Sequence, residues 1–244
     1  MKLIHLSDLY WNGGSAQNKG FEDLVKHLCS NIVENALIIV SGDIVEGVSR
    51  AEWARARNLL ASLSGAYGGR LIIVPGNHDT SNNKGITYDD NAADRTRFYI
   101  NGLMQNFISK SGMRAVRFNG MKFICLDSNI GNQDDWFAPL ARGELGKSQL
   151  AALEVELQDI MPTFIIVHHK PFATDIFHTL EDKDQMLKIL ERRDHVKAGF
   201  YGHIHEWNIR DVNGIRWFES DNTTVSRRYR VIDSDTLEHT VETF

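Results

Sequence analysis

Five short segments of the chain carry side chains that could do chemistry together: Ser7-Asp8-Leu9-Tyr10, Gly42-Asp43, Gly76-Asn77-His78-Asp79, His168-His169-Lys170-Pro171 and Gly202-His203-Ile204-His205. Carboxylate and amide oxygens with imidazole nitrogens are a donor set for divalent transition metals. Asp43 is the natural bridge, because a carboxylate can offer one oxygen to each of two ions. Two-metal hydrolases hold such ions about 3.5–4 Å apart. Asn77 supplies a neutral oxygen, and His78 beside it is placed to reach a leaving-group oxygen or the phosphate. His203 and His205 are one residue apart, so both face the same side of an extended segment. One of His168 and His169 should face the metals while the other packs or hydrogen-bonds, and His168 is preferred. Each piece alone has a bland reading, such as a turn, a helix cap or a surface histidine. Together they point to metal-assisted hydrolysis.

The elements that must position these residues are legible as apolar runs just before most of them: KLIHL, ALIIV, RLIIV, TFIIV and AGFY. Such runs, bounded by Gly, Pro or Asp, predict buried strands. The functional side chains therefore sit at the carboxyl ends of strands, where open α/β sheets place their ligand sites. Strands are expected over Lys2–Ser7, Ala36–Ser41 and Arg70–Val74, alternating with helices over Phe21–Val33 and Ala51–Leu63. That alternation implies a parallel sheet with right-handed crossovers. Residues 80–112 break the rhythm, beginning polar and becoming helical around Arg95–Ile108. They read as a candidate cap beside the site or as a solvated excursion. Met113–Phe118 and Met121–Leu126 form a hairpin about Asn119-Gly120. A helix over Gly146–Gln158, with Ser148 as its candidate cap, is followed by a strand (Thr163–Val167), a helix (Glu181–Arg192) and a strand (Lys197–Tyr201). Short strands with an Asn213-Gly214 turn complete the chain. One domain over residues 1–244, with two packed sheets and helices outside, is the economical arrangement.

Composition narrows the function class. A chain of 244 residues with 42% hydrophobic and 24% charged residues suits one soluble core. The net charge of −5 argues against bulk electrostatic binding to nucleic acid. Cys29 and Cys125 read as small buried residues rather than a disulfide. With no visible secretory signal or membrane span, a cytoplasmic location is expected and no membrane partner. His5, His27, His178, His195 and His239 are assigned to core or surface, with His178 and His195 able to line a cleft.

With these residues assembled, the chain resembles the calcineurin-like metallophosphoesterase superfamily, whose pattern is D-x-H, GD-x-x-D, GNH-[DE], H and GH-x-H. The opening HLSDL looks most like the bacterial cyclic-nucleotide phosphodiesterase branch. The match runs from residue 3 to about residue 205. The resemblance implies a four-layer α/β/β/α sandwich and two divalent or mixed-valence ions of Mn, Fe, Zn, Ni or Co. It assigns one ion to Asp8, Asp43 and His205, and the other to Asp43, Asn77, His168 and His203. It further implies attack by a metal-bridging hydroxide, with His78 steadying or protonating the departing oxygen. Two positions depart from the pattern. Tyr10 stands where the family has His, and a phenol with a pKa of about 10 is a poor ligand for ordinary divalent ions. A neutral Tyr10 lining the cleft is the favoured reading, with a tyrosinate on trivalent iron as its rival. Glu46 replaces the second Asp of the second motif and can still support the site from behind the ligands.

The expected function is hydrolysis of small, nucleotide-derived phosphodiesters. Two rivals are carried. One is a nuclease using the arginines of SRRYR (Arg227, Arg228, Arg230) and DRTR (Arg95, Arg97). The other is a non-catalytic nucleotide- or partner-binding module, to which only Tyr10 points. Tyr88, Phe98 and Tyr99 are candidates to stack on a base, although for Phe98 packing onto the core is favoured.

Overall fold

A computed structural model describes every residue except 48, 82–83, 105–111, 132–140, 173–177 and 192. The elements in chain order are β1 (Lys2–Leu6), α1 (Ser15–Ser30), β2 (Ala36–Val40), α2 (Arg50–Ala66), β3 (Leu71–Ile73), α3 (Asp90–Met104), β4 (Arg114–Phe118) and β5 (Met121–Cys125). They continue with α4 (Gly146–Glu156), β6 (Thr163–Ile166), α5 (Lys183–Leu190), β7 (Val196–Tyr201), β8 (Ile209–Val212), β9 (Ile215–Glu219), α6 (Thr223–Ser226), β10 (Arg228–Asp233) and β11 (His239–Thr243).

The strands form two mixed sheets, ordered β11-β10-β1-β2-β3 and β4-β5-β6-β7-β9-β8. In the first, β1, β2 and β3 run parallel; in the second, β5, β6, β7 and β9 do. Alternation along each strand sends side chains to two different cores. Leu3, Leu37, Ile39, Phe123, Phe164 and Phe200 fill the space between the sheets. Ile4, Ile38 and Val40 face outward against Phe21 and Leu24 of α1, and against Trp53 and Leu60 of α2. Ile124 and Ile165 face the other way, against Leu150 of α4 and Met186 of α5. The result is the four-layer α/β/β/α sandwich.

Several boundaries move for local reasons. Helix α1 begins at Ser15 rather than Phe21, because its first residues are polar and partly exposed and carry no apolar spacing. Helix α3 begins at Asp90 rather than Arg95, where the Asp89 carboxylate accepts the Ala92 N–H at 2.7 Å. Ser148 does not cap α4. The Asp182 carboxylate does so from across the fold, accepting the N–H groups of Leu145 (3.1 Å) and Gly146 (2.9 Å). Cys125 is buried, whereas Cys29 is only partly so. Phe98 is 73% exposed and not packed on the core; its neighbour Tyr99 stacks on Trp53 instead. Helix α3 places Ile100, Leu103 and Met104 in the outer core of the first sheet; of the candidate cap over residues 80–112, residues 82–83 and 105–111 lie outside the described residues. No helix among the described residues is long and apolar enough to cross a membrane.

His5 faces the inter-sheet core, as its place in the strand alternation requires. Its Nε2 lies 2.9 Å from Ser41 Oγ. Burial, reinforced by the Arg230 charge, pulls its pKa down to about 3. A folded-state pKa below the unfolded value means stability that is present above about pH 6.5 and is lost as pH falls toward 3. Acid denaturation of wild type should therefore include up to roughly 5 kcal/mol from this residue. In His5→Gln that part of the slope should be missing. Superimposable stability profiles of the two proteins between pH 6.5 and 3 would refute this.

Candidate metal centre

The site is assembled where the parallel strands of both sheets end. Asp8 and Tyr10 follow β1, and Asp43 follows β2. Asn77 and His78 follow β3, His168 follows β6, and His203 and His205 follow β7. The first two loops are tied together: Asp8 N–H donates to Gly42 O and Tyr10 N–H to Asp43 O, both at 3.0 Å. Two glycines allow the loops to close. A Cβ at Gly76 would overlap the Asp43 carboxylate, and one at Gly202 would overlap Ser7 Oγ and Asp8 Oδ2. Five site residues adopt left-handed backbone despite carrying side chains: Asp8 (φ 55°), Tyr10 (47°), Asp43 (54°), His203 (82°) and His205 (54°).

Asp79 is a residue whose importance sequence reasoning missed, although it closes the GNHD segment. Fully buried, it accepts the N–H groups of Ile44 (2.9 Å) and Val45 (3.0 Å) on Oδ1 and of Gly76 (2.9 Å) on Oδ2. It thereby locks the loop carrying Asp43 to the loop carrying Asn77. Burial and the nearby Asp43 push its pKa up to about 7, against the pull of these donors.

Around Asn77 the donors converge. Asn77 Nδ2 donates to Gly85 O at 3.1 Å, so Oδ1 faces the site. His168 Nδ1 donates to Ser41 O at 2.7 Å, so its Nε2 faces Asn77 Oδ1 at 3.0 Å and Asp43 Oδ2 at 3.4 Å. His203 Nδ1 lies 3.1 Å from the same amide oxygen. Asp43, His168 and His203 are the one group of three or more mutually close His, Cys, Asp or Glu donors among the described residues. A buried imidazole whose remaining nitrogen faces two oxygens needs a positive charge between them. Burial opposes protonating His168, yet the Asp43 carboxylate outweighs it and raises the pKa to about 9. A metal ion would serve these same atoms, and the oxygen and imidazole donors suit one. The residues around Asn77 therefore fit an ion.

The other position is built differently. Asp8 Oδ1 and His205 Nε2 are 3.3 Å apart, and the Tyr10 hydroxyl lies against both. Its oxygen is 2.8 Å from Asp43 Oδ2, 2.9 Å from His205 Nε2 and 3.2 Å from Asp8 Oδ1. Burial, then Asp43 and Asp8, pushes the Tyr10 pKa well above its usual value. As built, this position is satisfied by a hydroxyl.

His78 sits at the rim, with its backbone N–H donated to Asp43 Oδ1 at 3.0 Å. Its Nδ1 is 3.1 Å from Glu46 Oε2, and its Nε2 is 4.0 Å from Asp43 Oδ2. Burial lowers its pKa, but Asp43 and Glu46 prevail and raise it. His169 lies beside the Asn77 cluster; its Nδ1 is 2.6 Å from Ser128 Oγ, and its ring packs 4.4 Å from that of His203 and 5.1 Å from that of His168. His178 is also near, with its ring 5.5 Å from His203. The proposed backbone-gripping arginines are largely engaged within the fold. Arg227 pairs with Asp23, Arg228 with Asp221 and Arg97 with Asp127, while Arg230 is buried over the Trp207 ring.

Comparisons agree with this frame. The family model for calcineurin-like phosphoesterases matches residues 1–207. A cAMP/cGMP dual specificity phosphodiesterase of Mycobacterium tuberculosis is 26% identical, covering 83% of this chain and 61% of its own length. A glycerophosphodiester phosphodiesterase of Enterobacter lignolyticus is 27% identical, covering 84% and 71%. This chain thus spans well under the full length of these relatives. Among solved structures, a dimetal phosphatase from Danio rerio superposes with a TM-score of 0.70 at 15% identity, covering 100% and 99% of the two chains. That likeness concerns the fold. With the family model spanning most of the sequence, the chain belongs to the calcineurin-like phosphoesterases, a superfamily of hydrolases that uses a dinuclear metal centre.

Proposed function

We propose that this protein is a metal-dependent phosphodiesterase acting on small, nucleotide-derived or similar diesters. The carrying observation is the convergence of Asp43, Asn77, His168 and His203 beside His78. Asp43, Asn77, His168 and His203 would hold an ion, and Asp8, Asp43 and His205 flank a neighbouring position against which the Tyr10 hydroxyl lies. A divalent ion held there would supply Lewis acidity toward a phosphoryl group. The chain's own part is positional. Asn77 is aimed by Gly85 O, His168 by Ser41 O, and the Asp43 loop by Asp79. Glu46 against Nδ1 leaves His78 Nε2 to present a proton to the departing oxygen. The diesterase relatives support this substrate class, and the internal pairing of Arg97, Arg227 and Arg228 speaks against the nuclease alternative.

A screen tests the proposal. Metal-reconstituted protein is offered bis(aryl) phosphodiester, cyclic mononucleotides, dinucleotides, glycerophosphodiesters, aryl phosphomonoesters, and long single-stranded DNA and RNA. Turnover of small diesters well above that of monoesters is expected. Rapid, salt-sensitive cleavage of long nucleic acid with small diesters untouched would transfer the assignment to a nuclease. No turnover of any ester by protein that holds its metal would favour a binding module.

A further inference from the structure

The two halves of the centre are unequal, and Tyr10 makes them so. A phenol hydroxyl has one proton to donate and lone pairs to accept. All three of its close neighbours, Asp43 Oδ2, His205 Nε2 and Asp8 Oδ1, come from the groups that flank one of the two positions. The ring is not free to leave easily. Tyr10 is 5% exposed, with the rings of His78 and His205 packed edgewise at 4.9 and 5.4 Å. Its backbone is fixed as well, since Tyr10 N–H donates to Asp43 O and Tyr10 O accepts from Gly13 N–H. The Asn77 side has no such hydroxyl among its donors. There two imidazoles face one amide oxygen at 3.0 and 3.1 Å.

We propose that the folded chain holds one resident ion, among Asp43, Asn77, His168 and His203, and that the Tyr10 hydroxyl keeps the Asp8–Asp43–His205 position closed to a second. This rests on reading the site as a metal-dependent hydrolase and refines it. It also bears on substrate class. The two carboxylates with one divalent ion leave the centre close to neutral, whereas a second ion would make it strongly positive. A near-neutral centre suits the single charge of a phosphodiester better than the double charge of a phosphomonoester. The hydroxyl adds a donor that can turn from Asp43 toward a non-bridging phosphate oxygen without any change in charge.

Metal content tests this independently of turnover. Wild type, Tyr10→Phe and Tyr10→His are stripped with chelator, reloaded with Mn(II) or Zn(II), desalted and analysed for metal, and the ions are then titrated calorimetrically. Wild type should retain one ion per chain and Tyr10→His two, its second ion binding about 10–100-fold more tightly than in wild type. Tyr10→Phe, which keeps the ring but removes the hydroxyl, should admit a second ion weakly while melting within a few degrees of wild type. Two tightly held ions in wild type would overturn the proposal. So would a visible charge-transfer band on iron loading that Tyr10→Phe abolishes, because Tyr10 would then be a ligand. The outcomes separate from those of the substrate screen. One ion without diester turnover removes the proposed function and leaves this inference standing; two ions with turnover does the reverse.

Discussion

Replacing Asp43 with alanine is expected to abolish turnover, by more than about 10³-fold, and to strip the protein of metal. The residue has no substitute in the fold. Its Oδ2 faces both His168 Nε2 and the Tyr10 hydroxyl, and its Oδ1 accepts the His78 N–H. Fully buried, it is held ionised against the cost of burial by the surrounding imidazoles, His168 foremost. Asp43→Asn keeps the shape and removes the charge, so it should retain the fold while losing most of the bound metal. Metal analysis alongside hydrolysis of an activated aryl diester checks both variants. Retention of most of the turnover by either would remove Asp43 from the centre of the mechanism.

The second large effect concerns His78. Substituting alanine should slow diesters with alkyl or nucleoside leaving groups by about 10²–10⁴-fold, the usual worth of general acid catalysis. Activated aryl diesters, whose leaving groups depart as anions, should lose far less. The geometry that motivates this is the Glu46 carboxylate at 3.1 Å from Nδ1, which fixes the ring with Nε2 toward the centre. Glu46→Gln should give a smaller loss of the same character, since it keeps a partner for Nδ1 but lowers the charge beside it. If poor and good leaving groups lose equally in His78→Ala, the imidazole acts on phosphate charge and not on the departing oxygen.

Much of this was legible in the sequence because strand alternation and motif position are local properties. Apolar runs ending in Asp, Asn or His placed the candidate residues at the carboxyl ends of the strands, and the family resemblance carried by the ordered motifs implied the layering. What escaped notice depends on contacts distant in sequence. Nothing near Gly146 announces that Asp182 caps α4, and nothing near Asp79 announces that it braces Ile44 and Val45. The exposure of Phe98 escaped for a related reason. In an amphipathic helix an aromatic residue is expected on the buried face, but Tyr99 takes the place against Trp53 and turns Phe98 outward. The sequence also left Tyr10 as a departure from pattern without saying what it touches. Only the fold brings its hydroxyl to Asp43 and His205, which lie far along the chain.

The left-handed backbone at Asp8, Tyr10, Asp43, His203 and His205 has a practical consequence for anyone breeding variants of this protein. Such a conformation costs a residue with a side chain about 1–2 kcal/mol, somewhat less for aspartate, and five instances approach the whole net stability of an ordinary domain. Glycine relieves that cost outright only where the side chain contributes little else, as at His205, whose side chain is 43% exposed; at the buried Asp8, Tyr10, Asp43 and His203 the lost packing and hydrogen bonds offset it. A library ranked on survival after heating would therefore enrich glycine at His205 first, and deliver hardier proteins that have lost one of the residues proposed to hold metal. Selection for heat tolerance needs a simultaneous demand for catalysis, or these positions must be held constant from the start.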